Sequence, residues 1–328
     1  MAYWAERTGP TMSAKDIQRI AVVGAGLMGH GIALELAAHG YSVRLHDRDQ
    51  AQLERASGSI VDGLARLVEI ERISPEAAAA APARIAMGDD LRAAVADADL
   101  VIEAVSEDLE VKRSIFRDID AWSPPHAILA SNTSTFMPSL LGAATNRPER
   151  VIVAHYFNPP HLLPLVELVR GEQTSDETVE TLRALYLSIG KSPAVVQREA
   201  PGFVGNRLQA ALFREAAAIV AAGIASQEDV DTIVKTGFGR RLSVAGPFEI
   251  ADSAGLDIKL AVCEKLFPDI ASSQETPSLL REKVARGDLG LKTGRGFYDW
   301  SPQAAAELRQ RISSALVAIA RLSDDSAV

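Results

Sequence analysis

The sequence predicts an α/β fold: a doubly wound domain around a parallel sheet, followed by an all-helical domain. Three observations predict it. Short, continuous apolar runs alternate with amphipathic stretches as far as residue 199, the pattern of strands buried on both faces between crossover helices. From Ala200 onward the apolar spacing stays helical. Between the first two runs lies Gly24-Ala25-Gly26-Leu27-Met28-Gly29, a glycine-rich turn where a strand passes into a helix.

The first strand covers residues 20–23. The glycines after it have separate jobs. Gly24 makes the tight turn, Gly26 lets the backbone approach a pyrophosphate, and Gly29 lets the next helix pack on the strand. That helix opens at Leu27 and Met28, carries Ile32, Leu34 and Leu36 inward, and stops at Gly40. Its start offers free N–H groups and the positive end of the helix dipole to phosphates. Residues 41–46 read as the second strand. Asp47 stands at its end, where a carboxylate accepts hydrogen bonds from ribose hydroxyls. The bland alternative is an ordinary Gly-rich βα turn; the flanking strand, helix and acid argue against it. The unit therefore reads as a Rossmann-type dinucleotide site, with Gly24, Gly26, Leu27, Met28, Gly29 and Asp47 binding the cofactor. NAD is expected over NADP because Asp47 would repel a 2′-phosphate, although Arg44 and Arg48 flank it.

Leu53, Ile60, Leu64, Leu67 and Val68 stripe a helix over residues 49–71, and a short helix over 76–81 completes a helical hairpin. Residues 84–87, 100–104, 127–130 and 151–154 read as the next strands, with helices at 91–95 and 109–119 between them. A strand over 163–169, a helix over 177–187 and a strand over 194–197 end the first domain. Asp47, Glu107, Ser134 and His155 all fall at carboxyl ends of strands, where such sheets bind ligands. Helices are then expected over 201–220, 227–235, 248–254, 257–266 and 278–285, before a Gly-rich loop at 292–298 and a tail helix at 302–322. The division is an extension (1–17), a dinucleotide domain (18–199), a helical domain (200–300) and an added helix (301–328).

Composition narrows the function classes. At 328 residues, 47% hydrophobic and 23% charged, the chain is long enough for two domains of an ordinary soluble protein. A net charge of −9 argues against non-specific binding to nucleic acid or anionic membranes. A single cysteine, Cys263, permits neither an intrachain disulfide nor a Cys-based metal site, and no metal is expected. It reads as a buried, inert thiol. The first residues show no apolar signal core, Met12 is a possible alternative start, and no apolar run reaches membrane-spanning length. A cytoplasmic location is expected.

A carboxylate inside an apolar strand is costly unless paired, so Glu167 needs a partner. His155, just before a Pro-Pro turn, is the candidate, if the chain returns as a hairpin or crossing. A paired Glu would orient the imidazole as a general base for an alcohol proton. On spacing alone, a structural histidine with Glu167 at a helix terminus is the stronger reading.

The order of motifs changes that balance. Gly24-Ala-Gly-Leu-Met-Gly, Val101-Ile-Glu-Ala-Val-Ser-Glu, Ser131-Asn-Thr-Ser, His155-Tyr-Phe-Asn-Pro, Val166-Glu-Leu-Val, Pro201-Gly-Phe-Val-Gly-Asn-Arg and Lys292-Thr-Gly-Arg-Gly-Phe-Tyr resemble the L-3-hydroxyacyl-CoA dehydrogenase family over residues 18–300. The resemblance implies that His155 takes the 3-hydroxyl proton as C3 gives hydride to the nicotinamide. Glu167 would hold His155, Ser134 would bond the reacting oxygen, and Asn206 would help hold substrate. Glu107, Lys112, Asn158 and Lys292 match cofactor-contact positions, with Asp47 on the adenosine ribose. The helical domain would form a homodimer. Ser134 and Asn206 also suit helix capping, which does not exclude these roles.

Four features depart from the acyl-CoA pattern. The hairpin carries Glu69, Glu71 and Arg72 where acyl-CoA members offer lysines. The turn after His155 is Asn158-Pro-Pro-His161-Leu-Leu-Pro164. The segment 237–247 is long and brings Arg240 and Arg241, and a helix follows Tyr298. These resemble the branch with L-gulonate 3-dehydrogenase (lambda-crystallin) and a pyridine-carboxylate dehydrogenase, which act on free hydroxy acids. A free carboxylate needs a cation, and Arg207, Arg240 and Arg241 are candidates. Arg240 and Arg241 read equally as solvated loop charges. The leading expectation is NAD-dependent oxidation of an L-3-hydroxyacyl-CoA. A free polar hydroxy acid is the alternative, and an NAD-binding structural protein a remote one.

Overall fold

The computed structural model describes the backbone of residues 13–325; the first residues, with the alternative start at Met12, lie outside them. The chain forms two compact units, one ending at Gly205 and the other beginning at Asn206.

In the first unit the apolar runs become strands and the stretches between them become helices, each begun by a side chain suited to the task. Strand β1 (Arg19–Val23) leads through the glycine turn to α1 (Gly29–Ala38) and β2 (Ser42–His46). Asp49 caps α2 (Gln50–Glu69) by accepting from Ala51 N–H, and Ser74 caps α3 (Pro75–Ala80) by accepting from Ala77 N–H. After β3 (Ile85–Gly88), Asp90 caps α4 (Leu91–Val95); after β4 (Leu100–Glu103), Asp108 caps α5 (Leu109–Trp122). Strand β5 (Ile128–Ser131), the short α6 (Pro138–Gly142) and β6 (Val151–Tyr156) follow. Then come β7 (Leu165–Arg170), α7 (Asp176–Ser188) and β8 (Ser192–Val196).

The sheet has the order β3-β2-β1-β4-β5-β6-β7-β8. Its central strands are buried along their length, with Ala21, Val23, Val101 and Leu129 packed against Phe116 and Ile119 of α5. Pairing is parallel except between β6 and β7, which run antiparallel. The parallel sheet expected from the alternation is present, and of the hairpin and crossing returns considered for the His155 and Glu167 strands, the hairpin is the one formed. Residues 157–164 connect these two strands, too few for the dozen or so residues that a parallel crossover needs. The hairpin puts His155 directly opposite Glu167. His155 lies inside β6 rather than beyond its end.

Helix α8 (Gly205–Ala221) opens later than the apolar pattern suggested. Gly202 and Phe203 take φ of +75° and +51°, which interrupts helix before it starts. Phe203 holds this uncommon conformation with its ring buried against Val153 and Val169. The second unit continues with α9 (Gln227–Thr236), α10 (Pro247–Ala254), α11 (Leu256–Leu266), α12 (Ser278–Ala285) and α13 (Pro302–Asp325). Cys263 is only half-buried, contrary to expectation, because α11 has no fully buried residue. Among the described residues no helix is long and apolar enough to cross a membrane.

Candidate active site

The glycine turn is shaped by contacts that only glycine permits. Gly24 has φ +104°, and a Cβ there would stand 2.5 Å from the Ala104 carbonyl oxygen. A Cβ on Gly29 would stand 1.7 Å from the Gly24 oxygen, so α1 packs on the turn backbone to backbone. Gly26 is different: a Cβ there would meet nothing within 4 Å. Its missing side chain leaves open space at the start of α1, whose N-terminus no described side chain caps. Leu27 is exposed and Met28 half-buried beside it. Open backbone at an uncapped helix start fits a dinucleotide pyrophosphate.

Asp47 ties the turn to β2, its carboxylate accepting from Ala25 N–H at 2.9 Å and Asp49 N–H at 3.0 Å. Arg44, one of the two flanking cations, pairs instead with Asp97 at 2.8 Å. That removes one cation that could have met a 2′-phosphate.

At the ends of β4 and β5 lies a polar cluster that the sequence reading did not assemble. Glu103 is fully buried. It accepts from Lys112 Nζ at 2.7 Å, Val105 N–H at 2.7 Å and Ser131 Oγ at 2.5 Å. Lys112 is also buried and reaches Glu107 at 3.2 Å. Glu107 accepts in turn from the Thr133 hydroxyl and from Ser134 N–H. Burial works against the charge on Glu107, but the Thr133 hydrogen bond and Lys112 outweigh it and hold the carboxyl below its ordinary value. Asn132, from the same loop, accepts from Tyr156 N–H at 2.9 Å. The loop that carries Ser134 is thereby pinned both to Glu107 and to the residue after His155. The signal for Glu103 was present: a carboxylate ending an apolar run, the reasoning that singled out Glu167.

His155 Nδ1 lies 2.9 Å from Glu167 Oε2, with both side chains almost wholly buried. The imidazole is flanked by the rings of Phe157 and Phe203, at centroid distances of 4.7 and 5.6 Å. The other Glu167 oxygen accepts from Val204 N–H at 3.1 Å and Gly205 N–H at 2.9 Å. Those donors face inward because of the turn at Gly202 and Phe203. Burial raises the Glu167 carboxyl, but the bonds from His155, Gly205 and Val204 prevail and lower it from its ordinary value. Glu167 is thus a buried carboxylate with both oxygens engaged, able to orient the ring and stabilise an imidazolium.

Asn158, exposed, follows in the turn after β6. Asn206 and Arg207 lie in the first turn of α8, in the second unit. Arg240 and Arg241 are exposed in a 3-10 turn (Phe238–Ser243), and Lys292 is exposed in the Gly-rich loop.

Residues 19–200 match the NAD binding domain of 3-hydroxyacyl-CoA dehydrogenase, and residues 202–300 match its C-terminal domain. A 5-formyl-3-hydroxy-2-methylpyridine 4-carboxylate 5-dehydrogenase of Mesorhizobium japonicum is 37% identical, over 93% of this chain and 98% of the relative. A crystal structure of a dehydrogenase for that pyridine carboxylic acid, an NAD+-dependent dismutase, matches with TM-score 0.89 at 37% identity, over 93% of this chain and 98% of that one. A crystal structure of (S)-3-hydroxybutyryl-CoA dehydrogenase from Ralstonia eutropha matches with TM-score 0.71 at 38% identity, over 87% and 99%.

Proposed function

The chain belongs to the 3-hydroxyacyl-CoA dehydrogenase family, and from that premise we propose that its substrate is a small free hydroxy acid, polar or aromatic, rather than a CoA thioester. It is an NAD-dependent dehydrogenase acting on a CH–OH group. The observation that carries the free-acid reading is the likeness to the pyridine-carboxylate enzyme. At nearly equal identity that likeness has TM-score 0.89 over 93% of the chain, against 0.71 over 87% for the hydroxybutyryl-CoA enzyme. The end of α2 supports it, since Glu69 lies 4.0 Å from Arg66 and offsets a charge that could otherwise draw CoA phosphates. A 3-hydroxyacyl-CoA, the substrate first expected from the motifs, is the second reading; the full motif set and relatives such as the Ralstonia enzyme favour it. None of the relatives reported above is a lambda-crystallin, and a purely structural role is not proposed.

In this reading Glu167 receives the Nδ1–H of His155, leaving Nε2 to take the hydroxyl proton of the substrate. NAD+, when bound, accepts the hydride. Glu167 stabilises the imidazolium that results. Ser134, in the loop held by Glu107, bonds the reacting oxygen, and Asn206 helps to hold the substrate. Gly24, Gly26, Leu27, Met28 and Gly29 take the pyrophosphate and Asp47 the adenosine ribose, while Asn158 and Lys292 serve the cofactor. Glu107 faces the same site, with Lys112 acting from behind it. The free carboxylate is bound by guanidinium groups, with Arg207, Arg240 and Arg241 as the candidates.

Arg240→Ala and Arg241→Ala are each expected to raise KM for the free acid about 10-fold, with a smaller change in kcat. NADH affinity should not change. A wild-type KM in both variants would remove these arginines as carboxylate anchors.

We also propose a homodimer formed through the helical unit. Phe248, Phe267 and Leu256 are 85%, 67% and 63% exposed there, and an apolar region of this kind favours association. Sedimentation is expected to give a dimer that Phe248→Asp weakens. A monomeric wild-type protein would contradict this.

A further inference from the structure

The turn joining the two catalytic strands cannot satisfy its own backbone. Pro159, Pro160 and Pro164 have no N–H to donate. The Pro159 carbonyl accepts from Leu162 and Leu163 N–H at 3.1 and 3.0 Å. The carbonyls of Pro160 and Leu163 find their donor elsewhere, and one lysine supplies both. Lys191, 3% exposed, places Nζ 2.5 Å from the Pro160 oxygen and 2.9 Å from the Leu163 oxygen. The next residue, Ser192, donates its N–H to the Pro164 oxygen at 2.9 Å. The third partner of Lys191 is Glu35 Oε2, at 2.7 Å.

Glu35 is itself 4% exposed and lies on α1, the helix that begins at the dinucleotide turn. The hairpin turn meets α1 at a second point, since a Cβ on Gly31 would stand 2.5 Å from Pro160 Cγ. An ammonium group can donate to both turn carbonyls and at the same time hold the Glu35 carboxylate as an ion pair, which a buried apolar side chain could not do. The segment after α7, the turn between His155 and Glu167, and the cofactor helix therefore converge on one nitrogen.

We infer that Lys191, paired with Glu35, is a positioning residue that registers the His155–Glu167 hairpin against the dinucleotide helix. Base and cofactor are thereby held in one frame, which a reaction sensitive to errors of about 1 Å requires. The inference rests on the dehydrogenase reading above.

The test compares Lys191→Met and Glu35→Gln with a matched control, Asp120→Asn. Asp120, on α5, pairs with Arg147 at 2.7 Å, and both side chains are largely buried. The readouts are Tm, NADH affinity by fluorescence titration, and the titration of the His155 ring followed by NMR. Lys191→Met and Asp120→Asn should both lower Tm. Of these two, Lys191→Met alone should weaken NADH binding, by about 10-fold, and displace the His155 titration. Glu35→Gln keeps the two carbonyl bonds of Lys191 and should show smaller changes in the same direction. A folded Lys191→Met protein with wild-type NADH affinity and a wild-type His155 titration would overturn the inference. If Lys191→Met does not fold, wild-type values of both readouts in Glu35→Gln overturn it. A wild-type protein that binds no NADH would overturn the dehydrogenase reading together with it.

Discussion

Replacing His155 with alanine is expected to lower kcat about 10³-fold while NADH affinity stays within about 2-fold of wild type. The side chain is buried against Glu167 and two aromatic rings, so the deletion removes the base and leaves the glycine turn untouched. Glu167→Gln should lose about as much, because the amide oxygen would keep the two backbone N–H bonds and turn its NH2 toward His155 Nδ1, leaving the ring proton on Nε2, the wrong tautomer for a base. The pair also sets an acid limit. The Glu167 carboxyl is held below its ordinary 4.5 in the folded protein. Its contribution to stability is therefore complete above the unfolded value and fades as pH falls toward the folded one. Glu167→Gln should flatten that part of the stability profile, below the ordinary value of 4.5. A His155→Ala enzyme within 10-fold of wild-type kcat would remove His155 as the base.

The second large effect is at the turn itself. A Cβ on Gly29 would lie 1.7 Å from the Gly24 carbonyl oxygen, a backbone atom that cannot swing aside. Gly29→Ala must open the turn or lift α1, and the expected loss of NADH affinity is at least about 100-fold, or about 2.7 kcal/mol. Tm should fall as well. Gly26→Ala separates binding from folding. A Cβ there meets nothing in the protein, so Tm should hold while NADH affinity falls about 10-fold or more, because the methyl occupies space that the pyrophosphate needs. If Gly26→Ala binds NADH as wild type does, the cofactor lies elsewhere.

These two sites were legible in the sequence to different degrees, for a physical reason. The strand, glycine turn, helix and Asp47 are local, and each residue's role follows from its neighbours within about 30 positions. The need of Glu167 for a partner was also readable, because an apolar strand cannot hold an unpaired carboxylate. Its pairing with His155 was not, since that depends on a hairpin register between separate strands and on a turn at Phe203 that turns two N–H groups inward. Glu103 was passed over although it ends Leu100-Val101-Ile102 as Glu167 interrupts its own apolar run. Lys191 was the least legible. After Gly190 a lysine reads as a helix-end surface charge, and only the folded proline turn shows what its ammonium group meets.

The free-acid and CoA-thioester readings share the chemistry at His155 and differ only in what holds the rest of the substrate. The most direct test is therefore made on the wild-type enzyme. Initial rates of NADH formation or consumption should be compared for free hydroxy and keto acids, including pyridine carboxylates, and for 3-hydroxybutyryl-CoA and acetoacetyl-CoA. Turnover of a free acid is expected with kcat/KM at least about 10²-fold above either thioester. Efficient turnover of the CoA thioesters with none of any free acid would contradict it.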